Sequence, residues 1–176
     1  MTDPDTVSDA AAATDLTERV IAELIARSLT VVAAESLTGG ELVAELTRVP
    51  GASATVLGGA VVYATALKHT LLGVDQDLLD SHGPVHPEVA VQLARGVRER
   101  LAVDGKLADV GLATTGVAGP DGQGGRTPGT VFVGVSFGEG TRVVELALSG
   151  GRSEIRRATV VRAIEELAAE LGISRM

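Results

Sequence analysis

The chain has 176 residues, enough for one domain with a substantial core, and a formal net charge of −8. Hydrophobic residues make up 45% but aromatics only 2%, so the core must come from Val, Leu, Ile and Ala, and base-stacking platforms are disfavoured. The negative charge, with no Lys/Arg cluster to offset it, argues against direct contact with nucleic acid, and the absence of cysteine removes disulfides, thiolate nucleophiles and zinc–thiolate sites.

Residues 1–14, mostly Asp, Ser, Thr and Ala, show no periodic apolar face, which predicts a disordered tail ahead of a single domain over 15–176. Leu16, Val20, Ile21, Leu24 and Ile25 mark one face of a first helix, with Thr14 or Asp15 as its cap. Leu29 to Ala34 reads as a buried strand. Small and hydroxyl residues follow, and Leu42, Val43, Leu46 and Val49 then recur at helical spacing until Pro50 and Gly51. Val56 to Tyr63 predicts a second strand, Ala64 to Leu72 a helix stopped by Gly73, and residues 75–82 a short helical turn ending at His82 and Gly83. Val89, Leu93, Val97 and Leu101 predict a long helix opening near Pro87. A third strand spans Ala108 to Thr114, and a Gly- and Pro-rich loop runs from Thr114 to Thr130. Thr130 to Phe137 and Arg142 to Leu148 predict a hairpin turning at Gly138 to Gly140, and a last helix covers Ser153 to Leu171. Strands alternating with helices, closed by a late hairpin, predict an α/β fold: a three-layer α/β/α single domain with a mixed, mostly parallel sheet. No apolar run reaches the roughly 20 residues of a membrane span and the N-terminus is acidic, unlike a signal peptide, so a cytoplasmic location is expected.

Three segments compete as a site. Ser36 stands where a strand stops and a helix starts, and ligands of open α/β sheets bind at the carboxyl ends of strands. Gly39 and Gly40 permit close backbone approach there, and a helix start offers amides to an anion; equally, Ser36 or Thr38 serves as the helix cap. The second segment is Tyr63 to Lys68. The third is the Gly-rich loop, which lacks a Walker pattern and leads into a strand, so it is not a P-loop. All three follow strands, and convergence at one edge of the sheet is expected. His82 and His86 have i, i+4 spacing, but Gly83, Pro84 and Pro87 break any helix there and no acidic third ligand follows, so no metal site is expected. His82 is a turn residue and a candidate for the pocket wall.

Glu35-Ser-Leu-Thr-Gly-Gly40, Val49-Pro-Gly-Ala-Ser53, Tyr63 with Lys68 and Leu72-Gly-Val74, His82-Gly83, and Thr115-Gly-Val-Ala-Gly-Pro-Asp-Gly122 followed by Pro128-Gly-Thr-Val131 occur in this order. With them the chain resembles, over about residues 14–172, the C-terminal domain family of CinA, the competence/damage-inducible proteins that include nicotinamide mononucleotide amidases. The larger N-terminal domain of full-length members is absent from this sequence, so the resemblance is to the stand-alone form. It implies hydrolysis of the carboxamide of nicotinamide mononucleotide to nicotinate mononucleotide and ammonia, without metal or cofactor. It also implies a homodimer and, through the family's naming, a recombinase or competence-related protein partner.

An amide carbon requires a nucleophile, a base and donors for the developing oxyanion. Ser36 is the nucleophile candidate. No histidine is well placed as base, so Lys68 is the better candidate, as the resemblance also suggests; it must then be neutral near pH 7, which needs its pKa lowered by roughly 3 units by burial or a neighbouring cation. An exposed helix lysine is the plain alternative, its neighbours His69 and Thr70 being polar. Tyr63 is expected to orient Lys68 or relay a proton, or else to be a half-buried strand residue. Amides near Thr38, Gly39 and Gly40 are expected to form the oxyanion hole. The loop glycines, Gly116 among them, would present amides to ribose or phosphate, with Thr115 and Asp121 bonding hydroxyls. Arg126 and Arg152 are the candidates for the phosphate, and the family's Gly-x-Arg pattern favours Arg152. Two positions depart from the family: Thr65 stands where an Asn is usual, and Pro84-Val-His86 where a Ser often follows Gly-Ala-Val.

Overall fold

A computed structural model describes residues 15–174. The predicted 1–14 tail lies outside the described residues. Asp15 caps the first helix, α1 (Leu16–Ala26), by accepting from the Thr17 amide. There follow β1 (Val31–Glu35), α2 (Glu41–Thr47), a 3-10 turn (Ala52–Ala54), β2 (Val56–Val61), α3 (Thr65–Leu72), α4 (Gln76–His82) and α5 (Pro87–Arg100). Then come β3 (Val110–Gly116), β4 (Thr130–Phe137), β5 (Gly140–Ala147) and α6 (Arg152–Glu170).

The strands form a sheet in the order β2-β1-β3-β4-β5. β1 pairs in parallel with β2 and β3, whereas β4 runs antiparallel to both β3 and β5. Four strands thus share one direction, as expected for a mostly parallel sheet, although the hydrogen-bonded pairings divide evenly between the two kinds. All five residues of β1 are buried, because helices cover both of its faces. Val31 and Ala33 point into the layer of α1, α2 and α6, with Leu42, Leu46 and Ile164. Val32 and Ala34 point into the layer of α3, α4 and α5, with Leu72, Leu79, Leu93 and Val97. This is the three-layer α/β/α domain.

Where boundaries differ from the sequence reading, the difference shapes the site. β1 runs on to Glu35, so Ser36 is the first residue beyond the strand. β2 stops at Val61, its last ladder bond running from the Val62 amide to the Glu35 carbonyl, and Tyr63 lies in the connection rather than at a strand end. β3 takes in Thr115 and Gly116. The Gly-rich loop contains a two-residue bridge, Gln123 to Arg126, turned by Gly124 and Gly125, both at positive φ. Register places Glu35 opposite Val61 on one side and Thr114 on the other, so β1 and β2 end level with one another and β3 runs two residues past them. No helix among the described residues is long and apolar enough to cross a membrane.

Candidate active site

At that edge lies a cavity of about 270 Å³ whose walls include Ser36, Leu37, Tyr63, Lys68, Val85, Thr115, Gly116, Asp121, Gln123 and Arg152. Ser36 is fixed by its amide, which donates to the Thr114 carbonyl at 3.1 Å. Lys68 comes from the inward side of α3 and is 1% exposed. Its Nζ lies 3.0 Å from Ser36 Oγ and donates to the Val62 carbonyl at 2.7 Å. Among the described residues no carboxylate pairs with it, and burial lowers its pKa from the ordinary 10.5 to about 8. The plain reading of Lys68 as a solvated helix lysine is thereby overturned.

The turn after Ser36 is held differently from the expectation. Neither Ser36 nor Thr38 caps α2. The carboxylate of fully buried Glu35 reaches past the turn and accepts from the amides of Gly40, Leu42 and Val43 at 2.9, 3.0 and 2.9 Å. The helix start is therefore filled from within and offers nothing to an anion. Gly39 donates its amide to the Ser36 carbonyl at 3.2 Å. Gly39 and Gly40 thus cannot serve as oxyanion donors, their hydrogens being already engaged. Thr38 is buried with its hydroxyl 2.8 Å from that of Thr114, and none of residues 38–40 lines the cavity. Glu35 was missed by the sequence reading. Its signal was a carboxylate ending an apolar strand six residues before the first residue of the helix it caps.

Tyr63 is on the wall, but its hydroxyl accepts from Arg152 at 3.1 Å instead of meeting Lys68, so the role of orienting the lysine falls to the Val62 carbonyl. Arg152, at the first turn of α6, also donates to the Gly119 carbonyl at 2.8 Å and thereby spans from the helix to the loop. Both partners are uncharged. Thr115 Oγ1 donates to the Pro84 carbonyl at 2.7 Å, which leaves the hydroxyl only its lone pairs to offer a ligand. Gly116 and Asp121 stand on the wall as expected. Arg126 does not; its guanidinium lies over Phe132 at 5.8 Å. His82 is also off the wall, packed against the His86 ring at 4.9 Å, while His86 Nδ1 accepts from the Glu88 amide to cap α5. Among the described residues no group of three His, Cys, Asp or Glu is arranged to hold a metal ion.

Residues 13–171 match the CinA C-terminal domain family. The chain belongs to the CinA C-terminal domain family. It is 46% identical to a CinA-like protein of Frankia casuarinae over 83% of this chain and 33% of that protein. It is 40% identical to a CinA-like protein of Gemmatimonas aurantiaca over 87% and 35%. The chain spans about a third of the length of these curated relatives. Among solved structures it superposes on a competence/damage inducible protein, CihA, from Agrobacterium tumefaciens with a TM-score of 0.82 at 36% identity, covering 89% of this chain and 93% of that one. A CinA superfamily protein from Enterobacter cloacae gives a TM-score of 0.83 at 29% identity, with coverage of 89% and 90%. The five-stranded sheet and its helical layers are thus the architecture of the CinA superfamily.

Proposed function

We propose that this CinA-family domain is an amidohydrolase that converts nicotinamide mononucleotide to nicotinate mononucleotide and ammonia. The observation that carries the reading is the 3.0 Å approach of a buried, uncharged-prone amine to a serine hydroxyl at the edge of a cavity. Neutral Lys68 keeps two N–H bonds, one of which goes to Val62, and its lone pair accepts the Ser36 proton as Oγ attacks the carboxamide carbon. The resulting ammonium returns that proton to the departing nitrogen, so ammonia leaves and an acyl-serine remains. Water then attacks the ester, Lys68 takes its proton, and Ser36 recovers it as the acid departs. Arg152 makes its hydrogen bonds at the cavity to uncharged partners, Tyr63 and the Gly119 carbonyl, which suits its guanidinium to the substrate phosphate.

The test is ammonia release from the nucleotide by the purified protein, with Ser36→Ala and Lys68→Ala beside it. Turnover by the parent and loss of at least about 1,000-fold in both variants is expected, because nucleophile and base act as a unit. Turnover surviving both substitutions, or tight binding of the nucleotide without turnover, would overturn the proposal; the latter result would make the domain a nucleotide-binding module.

A further inference from the structure

The mechanism above lacks donors for the oxyanion, since Gly39 and Gly40 are spent. Arg156, one turn along α6 from Arg152, supplies the answer indirectly. Its Nε donates to the Leu37 carbonyl at 3.0 Å and its Nη2 to the Thr38 carbonyl at 2.9 Å, while Glu41 pairs with the same guanidinium at 2.8 Å. The grip is close: a Cβ on Gly39 would lie 3.3 Å from Nη2. In a trans peptide the C=O and the following N–H point in opposite directions. Drawing the Leu37 carbonyl toward α6 therefore turns the Thr38 amide away from α6. The Ser36 carbonyl, held inside the turn by the Gly39 amide, likewise turns the Leu37 amide outward. Among the described residues neither the Leu37 nor the Thr38 amide has a hydrogen-bond acceptor, and Leu37 is on the cavity wall beside Ser36.

The geometry points to Arg156 as a positioning residue that, by holding the turn after Ser36, keeps the Leu37 amide aimed into the cavity as the oxyanion hole for Ser36. It touches neither substrate nor nucleophile. It fixes the Leu37–Thr38 and Thr38–Gly39 peptide planes from behind, and the second carries the Gly39 amide that holds the Ser36 carbonyl and with it the Leu37 amide; a bidentate guanidinium does so where a single ammonium cannot. This inference rests on the amidohydrolase reading and deepens it.

The experiment measures steady-state ammonia release from nicotinamide mononucleotide by the parent, Arg156→Ala and Arg156→Lys. In parallel it measures the rate at which a fluorophosphonate labels Ser36, read by mass spectrometry. Labelling forms the Oγ–P bond, expels fluoride and passes the proton to Lys68; its phosphoryl oxygen occupies the hole whatever the natural substrate is. Loss of the grip is expected to lower kcat about 100-fold with KM within about threefold, the cost of one lost oxyanion donor. Lysine should recover only a small part of this, and labelling should slow in parallel. Millimolar methylguanidinium should restore part of the Arg156→Ala rate, which a merely destabilised fold would not show. A rise in KM with kcat unchanged, or unchanged labelling, would overturn the role of Arg156. A parent that labels Ser36 but releases no ammonia would sink the substrate reading alone, and the labelling rates would still decide the hole. A parent inert to both would remove both.

Discussion

Among the described residues no carboxylate pairs with Lys68, and its burial sets two pH dependences. With its pKa lowered to about 8 by burial, about a tenth of the protein carries the neutral amine at pH 7. The ratio kcat/KM should accordingly rise about tenfold between pH 7 and pH 9 and then level off, the limb reporting the free enzyme's base. A flat profile over this range would show that Lys68 does not act as base. Stability moves by the same titration. Below about pH 8 the lysine is charged in both states, and the folded form bears the full cost of burying it. Between about 8 and 10.5 the unfolded chain binds more protons than the folded one, so stability rises with pH. Against Lys68→Met, which is apolar at every pH, the parent should gain about 3 kcal/mol across that window. Denaturant titrations of the two proteins at pH 7, 9 and 10.5 measure it. The variant should be the more stable protein at pH 7, since an unpaired buried charge has been removed.

Helix α3 shows why the lysine was hard to read. It buries Lys68 and Leu72, four residues apart, and leaves Leu67 and Leu71 38% and 48% exposed, so its apolar side chains face partly outward and its charge inward. Periodicity assigns the opposite orientation, and only the family resemblance pointed the right way. Elements with ordinary patterns were legible: β4 falls on Thr130–Phe137 and α5 starts at Pro87, as the apolar run before the glycine turn and the helix-opening proline required. What the sequence concealed were side-chain contacts to backbone, namely Glu35 capping α2 five to eight positions on and Arg156 gripping residues 37 and 38 from 118 positions or more away. Glycines in the sheet belong to the same class. The α5 backbone presses on β3 and β4 so closely that a Cβ on Gly111 would come within 2.0 Å of the Ala94 carbonyl oxygen and 2.7 Å of Arg98 Cγ. Gly111→Ala must therefore push α5 off the sheet. A loss of about 1–3 kcal/mol is expected, read as a lower urea midpoint at unchanged m value. An unshifted midpoint would mean that the layers slide apart freely.

No single element contains the cavity. Ser36 follows β1, Tyr63 and Lys68 follow β2, Thr115 stands near the end of β3 with Asp121 beyond it, and Arg152 opens α6 after the hairpin has returned the chain. Those segments belong to both helical layers, so a ligand seated among them braces the molecule as a whole and unfolding must release it. For Ser36→Ala, which cannot consume the substrate, nicotinamide mononucleotide at a hundred times its Kd should add about 2.7 kcal/mol. For a domain of this length that is a rise in Tm of about 5–10 °C. Arg152 makes this prediction specific. Its guanidinium already bridges Tyr63 and the Gly119 carbonyl, so a phosphate arriving there replaces two neutral acceptors with a charged one. In the Ser36→Ala background, adding Arg152→Ala should abolish most of the thermal shift given by the nucleotide, and the riboside lacking the phosphate should give little shift with either arginine or alanine at 152. Equal shifts from nucleotide and riboside would place the phosphate outside the reach of Arg152, and the anion would then have to be sought among the loop amides around Gly116 and Gly122 on the facing wall.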